Sequence, residues 1–177
     1  DFSSAARAIE RGEITEAQEA VTHLAPGIER AMIWLGIAHA RAEAKERTLA
    51  LEAALAVLKE ARKVEDARRP FLILGATGEL AKIDSVIAVQ ALMESVKEFN
   101  NETTESVDRV RWSQAVEAGT TWRDFRLEVK GAEFGFGAVI PLMAGINSDW
   151  TIEIVSNLKN EELLGKAWVA VAATLLN

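Results

Sequence analysis

The sequence predicts a mainly α fold: antiparallel helical hairpins stacked into a repeat-like bundle, with one short β-hairpin inserted near residues 123–137. Three observations predict it. Ala, Leu, Val and Glu are plentiful, whereas 11 Gly and 3 Pro are sparse in 177 residues, a balance that favours helix. Residues 1–43 align with residues 135–177 without a gap. Phe2 meets Phe136, Glu19 meets Glu153, Val21 meets Val155, Leu24 meets Leu158, Trp34 meets Trp168 and Ala38 meets Ala172. Conservative pairs such as Ile9 with Met143, Thr22 with Ser156 and Ile37 with Val171 fill in around them. Finally, apolar residues recur at helical spacing along most of the chain. Repeat-like units near 1–45, 46–101 and 135–177 are expected, with a divergent insertion near 102–134.

The elements follow in order. A short helix is expected over Ser3–Arg11. Thr15 opens a second, with Gln18 at capping-box spacing, and Pro26-Gly27 stops it. The third runs from Ile28 to Ala44. Ile28, Met32, Leu35 and Ala42 form one apolar stripe and Ile33, Trp34 and Ile37 another, the pattern of a helix sandwiched between neighbours. Thr48–Val64 presents Leu51, Ala54, Leu58 and Ala61 on one face. Arg69-Pro70 opens a fifth helix, since proline suits a first turn. Asp84 caps a sixth, striped by Val89, Leu92, Val96 and Phe99 and ended by Asn100-Asn101.

Ser106–Glu117 is expected to be helical. Phe125 to Lys130 alternates apolar and polar, the period of a half-buried strand. A lone strand cannot satisfy its backbone groups, so Glu133–Phe136 is its expected partner across Lys130-Gly131. Helices over Ala138–Ala144, Asp149–Leu158 and Asn160 or Glu161 to Leu176 complete the chain.

Composition bounds the function. Apolar residues make up 49% and charged residues 27%, a globular balance that argues against disorder. The net charge of −7, with Lys and Arg interleaved with Glu, provides no basic stripe. Nucleic acid is therefore not an expected partner, nor is an anionic membrane surface. Without Cys there are no disulfides, thiolate metal sites or Cys nucleophile. No apolar run is long enough to span a bilayer, so the protein is expected to be soluble. Asp1 stands where an initiating Met would, and Asp1 and Asn177 both read as cuts in a longer array. The compartment stays open between cytoplasm and export.

One segment looks like chemistry. Phe71-Leu72-Ile73-Leu74-Gly75-Ala76-Thr77-Gly78-Glu79-Leu80-Ala81-Lys82 resembles the coenzyme-binding turn of glucose-6-phosphate dehydrogenases and other Rossmann proteins with a GATG turn. The resemblance implies a strand feeding a glycine turn whose N–H groups hold a pyrophosphate. Its context differs: Ser85–Phe99 reads as a helix where a second parallel strand is required, and Ile83-Asp84 follows Lys82. A rival alignment sets Arg68–Thr77 on Glu29–Ala38, so that Gly75 falls with Gly36 inside a helix. There each glycine costs about 1 kcal/mol relative to Ala, and close helix approach is the expected reason for keeping it.

The remaining candidates have structural readings. His23 and His39 match no metal spacing. The pairs Glu161-Glu162 and Glu102 with Glu105 are expected to complement helix dipoles. Ser3, Ser4, Thr120 and Thr121 are expected in caps and turns. Trp34 and Trp168, at matched positions, are expected to be core wedges. Trp112, Trp122 and Trp150 are less regular, and Trp122 and Trp150 are the candidate partner-binding residues.

As a whole the chain loosely resembles tetratricopeptide-like and other α-solenoid proteins, although it lacks their Trp, Leu-Gly and Tyr consensus. That resemblance implies a non-enzymatic protein-interaction or scaffolding module for a protein or peptide partner. The alternative is a small-ligand or nucleotide binder using Gly75–Lys82. No catalytic residue, cofactor or metal is assigned. Homo-oligomers are expected from apolar faces at the array ends, near Phe2 and Leu176.

Overall fold

The computed structural model describes residues 1–65, 67–103 and 135–176. These form α1 (Phe2–Glu10), α2 (Ile14–Thr22), α3 (Ile28–Glu43), α4 (Arg47–Ala61), α5 (Arg69–Ala81), α6 (Ser85–Asn101), α7 (Phe136–Ile146), α8 (Ser148–Val155) and α9 (Glu161–Leu175).

The described residues contain no strand, which corrects the expected β-hairpin near 123–137. Phe136, expected to end its second strand, is the first residue of α7, and its buried ring packs 5.2 Å from that of Phe99. Alternation over a few residues cannot anticipate such a tertiary contact. The rest of that hairpin, the Ser106–Glu117 helix, Trp112 and Trp122 lie outside the described residues.

Helix starts follow local cap chemistry. Asp1 Oδ1 accepts from the Ser4 N–H at 2.8 Å, and Asp84 Oδ1 accepts from the Val86 and Ile87 N–H groups at 3.0 and 3.1 Å. Asn147 caps α8 by accepting from the Trp150 N–H, and Asn160 caps α9 by accepting from the Leu163 N–H. The Thr15–Gln18 capping box does not form. Glu13 holds the cap position of α2 without a side-chain bond, and Thr15 lies one residue inside the helix.

Two tight turns share one geometry. After α1, the Gly12 N–H donates to Ile9 O and the Glu13 N–H to Ala8 O, with Gly12 at φ +76°. After α3, the Lys45 N–H donates to Ala42 O and the Glu46 N–H to Arg41 O, with Lys45 at φ +61°. Both are Schellman stops, which call for a left-handed residue at this position. Glycine occupies it in one turn and a strained lysine in the other.

The core centres on α5. Every residue from Pro70 to Leu80 is buried, and α5 touches α3, α4, α6 and α7. A helix apolar on all sides must be enclosed in this way. Each buried Leu or Ile there contributes roughly 1.5–3 kcal/mol. Polar ties flank it: the Ser95 hydroxyl donates to Pro70 O at 3.0 Å, Arg69 pairs with Glu98 at 3.0 Å, and Arg47 donates to Ile83 O. Arg62 joins α4 to α6 through two bonds to the Glu94 carboxylate, at 2.8 and 2.7 Å, and that carboxylate holds the guanidinium above its ordinary pKa.

At the two ends of the chain the helices begin at nearly matched positions. α1 begins at Phe2 and α7 at Phe136, α2 at Ile14 and α8 at Ser148, α3 at Ile28 and α9 at Glu161. Within each trio every helix touches the other two. Matched positions Ala6 and Ile140, Val21 and Val155, and Ile37 and Val171 are all buried. The tryptophans differ. Trp34 is half-buried against the core, whereas Trp168 is 41% exposed, so it is no core wedge.

Replacing Lys45 with glycine is expected to raise stability by about 1 kcal/mol, because a β-carbon is disfavoured in the left-handed region. Urea denaturation compared with the parent chain checks this. An unchanged midpoint would show that the turn relaxes its φ in solution.

Candidate functional site

A groove of about 650 Å³ runs between α6 and α8. Its floor is Val96 and Ile154, both buried, and its rim carries Val86, Met93 and Trp150. Met93 is 56% and Trp150 51% exposed, unusual for large apolar side chains gathered along one cleft. Gln90, Lys97, Glu153 and Lys159 supply its polar edge.

The sequence builds this cleft from both sides. On α6, Val86, Val89, Met93 and Val96 recur every three or four residues, which puts them on one helical stripe. On α8 the Asn147 cap fixes the start of the helix one residue before Asp149, and so aims Trp150 and Ile154, one turn apart, at the same cleft. The far end is fastened by Asn100. Its Nδ2 donates to Asn157 O at 2.7 Å, and its Oδ1 accepts from the Lys159 N–H at 2.8 Å. Beneath it, Phe99 stacks edge-on against Phe71 at 4.9 Å and meets Phe136 at 5.2 Å, locking the end of α6 to α5 and α7.

Trp150 is therefore the candidate partner-binding residue that the structure places in a cleft. Trp122, its companion in the sequence reading, lies outside the described residues. Met93, Val86 and Lys97 were missed. The core stripe read from the sequence runs through Val89, Leu92, Val96 and Phe99, and these three residues flank it.

The glycine segment has a different role. Gly75 and Gly78 lie in the interior of α5, beyond its first turn, so their N–H groups belong to the helix ladder and are not free to cradle a phosphate. A β-carbon on Gly78 would come within 3.2 Å of Val139 Cγ2 on α7. Close helix approach accounts for this glycine.

Glu79, in the same segment, is 3% exposed and is satisfied from two sides. His39 Nδ1 lies 3.0 Å from its Oε1, and Lys82 Nζ donates to its Oε2 at 3.1 Å. His39 also borders a hollow of about 410 Å³ with Glu10 and Glu43. Among the described residues no three metal-ligating side chains converge, there or elsewhere. The His39–Glu79 pair ties α3 to α5 across the core boundary. Breaking it would leave the buried carboxylate to Lys82.

No protein-family model, curated protein or solved structure matches this chain. Among the described residues no helix is long and apolar enough to cross a membrane.

Gly78→Leu is expected to lose at least about 2 kcal/mol, since the added side chain must push α7 off α5. Gly78→Ala is expected to stay within about 1 kcal/mol of the parent, helix propensity offsetting the tight contact. Thermal unfolding of both variants decides. Equal stability of the two would mean that α5 and α7 are not in close contact.

Proposed function

We propose that the protein is a non-enzymatic interaction module, of the general kind that helical-repeat proteins provide, whose α6–α8 groove receives an amphipathic helix from a protein partner. The observation that carries this reading is Trp150 and Met93, both half out of the surface, on either side of an apolar floor. Aromatic and methionine side chains exposed along a groove are the usual anchors for a helix laid into it. The partner helix presents apolar residues at i, i+3 or i+4, and i+7. Lys97 and Lys159 stand at the end fastened by Asn100, with Glu153 the one acid among the described lining residues, so carboxylates near that end of the partner helix are favoured.

Selection of helical peptides from a display library against the full chain tests the proposal, with Met93→Asp for counter-selection. Selected peptides are expected to bind with micromolar affinity, to lose about tenfold or more on Met93→Asp and about 30-fold on Trp150→Ala, as interface anchors do. Their binding should shift the amide resonances of Val86, Met93 and Trp150. Binders that hold parent and variants equally well would defeat the groove as the docking site.

A further inference from the structure

The last helix carries a second apolar face, separate from the groove. On α9 and its C-cap, Gly165, Val169, Ala172 and Leu176 recur at i, i+4, i+7 and i+11, which makes one stripe. All four are exposed, Val169 at 71%. The matched positions on α3 are Ala31, Leu35, Ala38 and Ala42, of which the first three are fully buried. The difference lies in the neighbours. α3 packs along α4 and α5 as well as within its own trio, while among the described helices α9 packs on α7 and α8. α9 thus exposes the kind of surface that α3 buries against α4 and α5. The buried residues of α4 are mostly small and apolar, among them Ala50, Ala53, Ala54 and Val57.

We infer that this face joins two copies of the chain, α9 packing antiparallel on its counterpart about a two-fold axis near Val169 and Ala172. Three features select a second copy as the occupant. First, α9 itself offers small apolar side chains like those that α4 supplies, and no heavy atom lies within 4 Å of the place a β-carbon on Gly165 would take, so the backbones have room to approach. Second, the stretch from Ala167 to Leu176 carries no charge. Two chains of net charge −7 meet there without bringing carboxylates together, whereas an oppositely charged partner finds nothing to pair with. Third, a stripe centred on Val169 and Ala172 is self-complementary under a two-fold axis, and antiparallel overlap there carries Glu161 and Glu162 past the last turn of the opposing helix.

One helix from each chain buries an area at the low end of specific interfaces, below about 1,200 Å², so a dissociation constant on the order of 10 µM is expected. Sedimentation velocity of the full chain from about 1 to 500 µM, a range bracketing that constant, should show reversible dimers. Val169→Glu should weaken dimerisation by about tenfold or more, as a buried unpaired charge does, while leaving the melting temperature of the dilute monomer unchanged. The chain has no Cys. Ala172→Cys, beside the axis, should therefore form a disulfide-linked dimer under mild oxidation faster than Gln90→Cys in the groove. A parent chain that stays monomeric throughout, a Val169→Glu variant that dimerises as the parent does, or equal cross-linking at the two cysteines would each overturn the inference. Groove variants such as Met93→Asp should leave the dimer intact, which separates its failure from that of the groove.

Discussion

The enclosure of α5 is the constraint from which the rest of this structure follows. An uninterrupted run from Pro70 to Leu80 without an exposed side chain can exist only if other helices cover every side of it. α3 and α4 cover it from one part of the chain and α6 and α7 from the other, so the N-terminal and C-terminal trios are held together through this helix. The polar groups on α5 are satisfied in place. Thr77 Oγ1 donates to Ile73 O at 2.9 Å, and Glu79 takes His39 and Lys82 as partners. Because α7 must approach closely, Gly78 is the residue that fits opposite Val139. A segment that resembles a phosphate-binding turn in sequence is thus the most deeply packed of the described helices.

What could be read from the sequence is what depends on neighbours a few residues away. The Asp84 and Asn160 caps, the proline start of α5, the end of α6 at Asn101 and the span of α3 follow from local rules. Local rules also misled. The spacing of Thr15 and Gln18 matches a capping box, yet α2 begins one residue earlier. Glu133–Phe136 reads as the partner that a lone strand at Phe125–Lys130 would need, yet the Phe136 ring belongs to a cluster with Phe71 and Phe99 that only the folded chain assembles. The site was half legible. Trp150 stands out as an irregular tryptophan, but its exposure depends on how α8 lies against α6. The partner of His39 was not legible, because Glu79 is 40 residues away on another helix. The matched tryptophans make the same point: the same residue at matched positions is half-buried in α3 and exposed in α9 because different neighbours surround it.

The two open surfaces differ in chemistry. The α6–α8 groove is concave, has a closed end and a partly charged rim, and suits a partner of limited size. The outer face of α9 is a single helical stripe without charge in its second half. A cleft selects by shape and by placed polar groups, while a bare stripe selects mainly by the match of small and large side chains. The two surfaces share no residue, so the partners proposed for them do not compete.

The Asn100 clasp has a consequence for the order of folding. Its two bonds join residues 57 and 59 positions apart, whereas α1 to α4 meet largely across turns of a few residues. Contacts between sequence neighbours close cheaply and early, and distant ones must wait for the chain between them to be gathered in. The N-terminal hairpins can thus form before any groove exists. The walls of the groove come together only when the C-terminal trio docks on α5 and α6, so a chain halted before that step would be helical, compact in its first half and without the groove. Closure of the groove then serves as a marker that folding is complete.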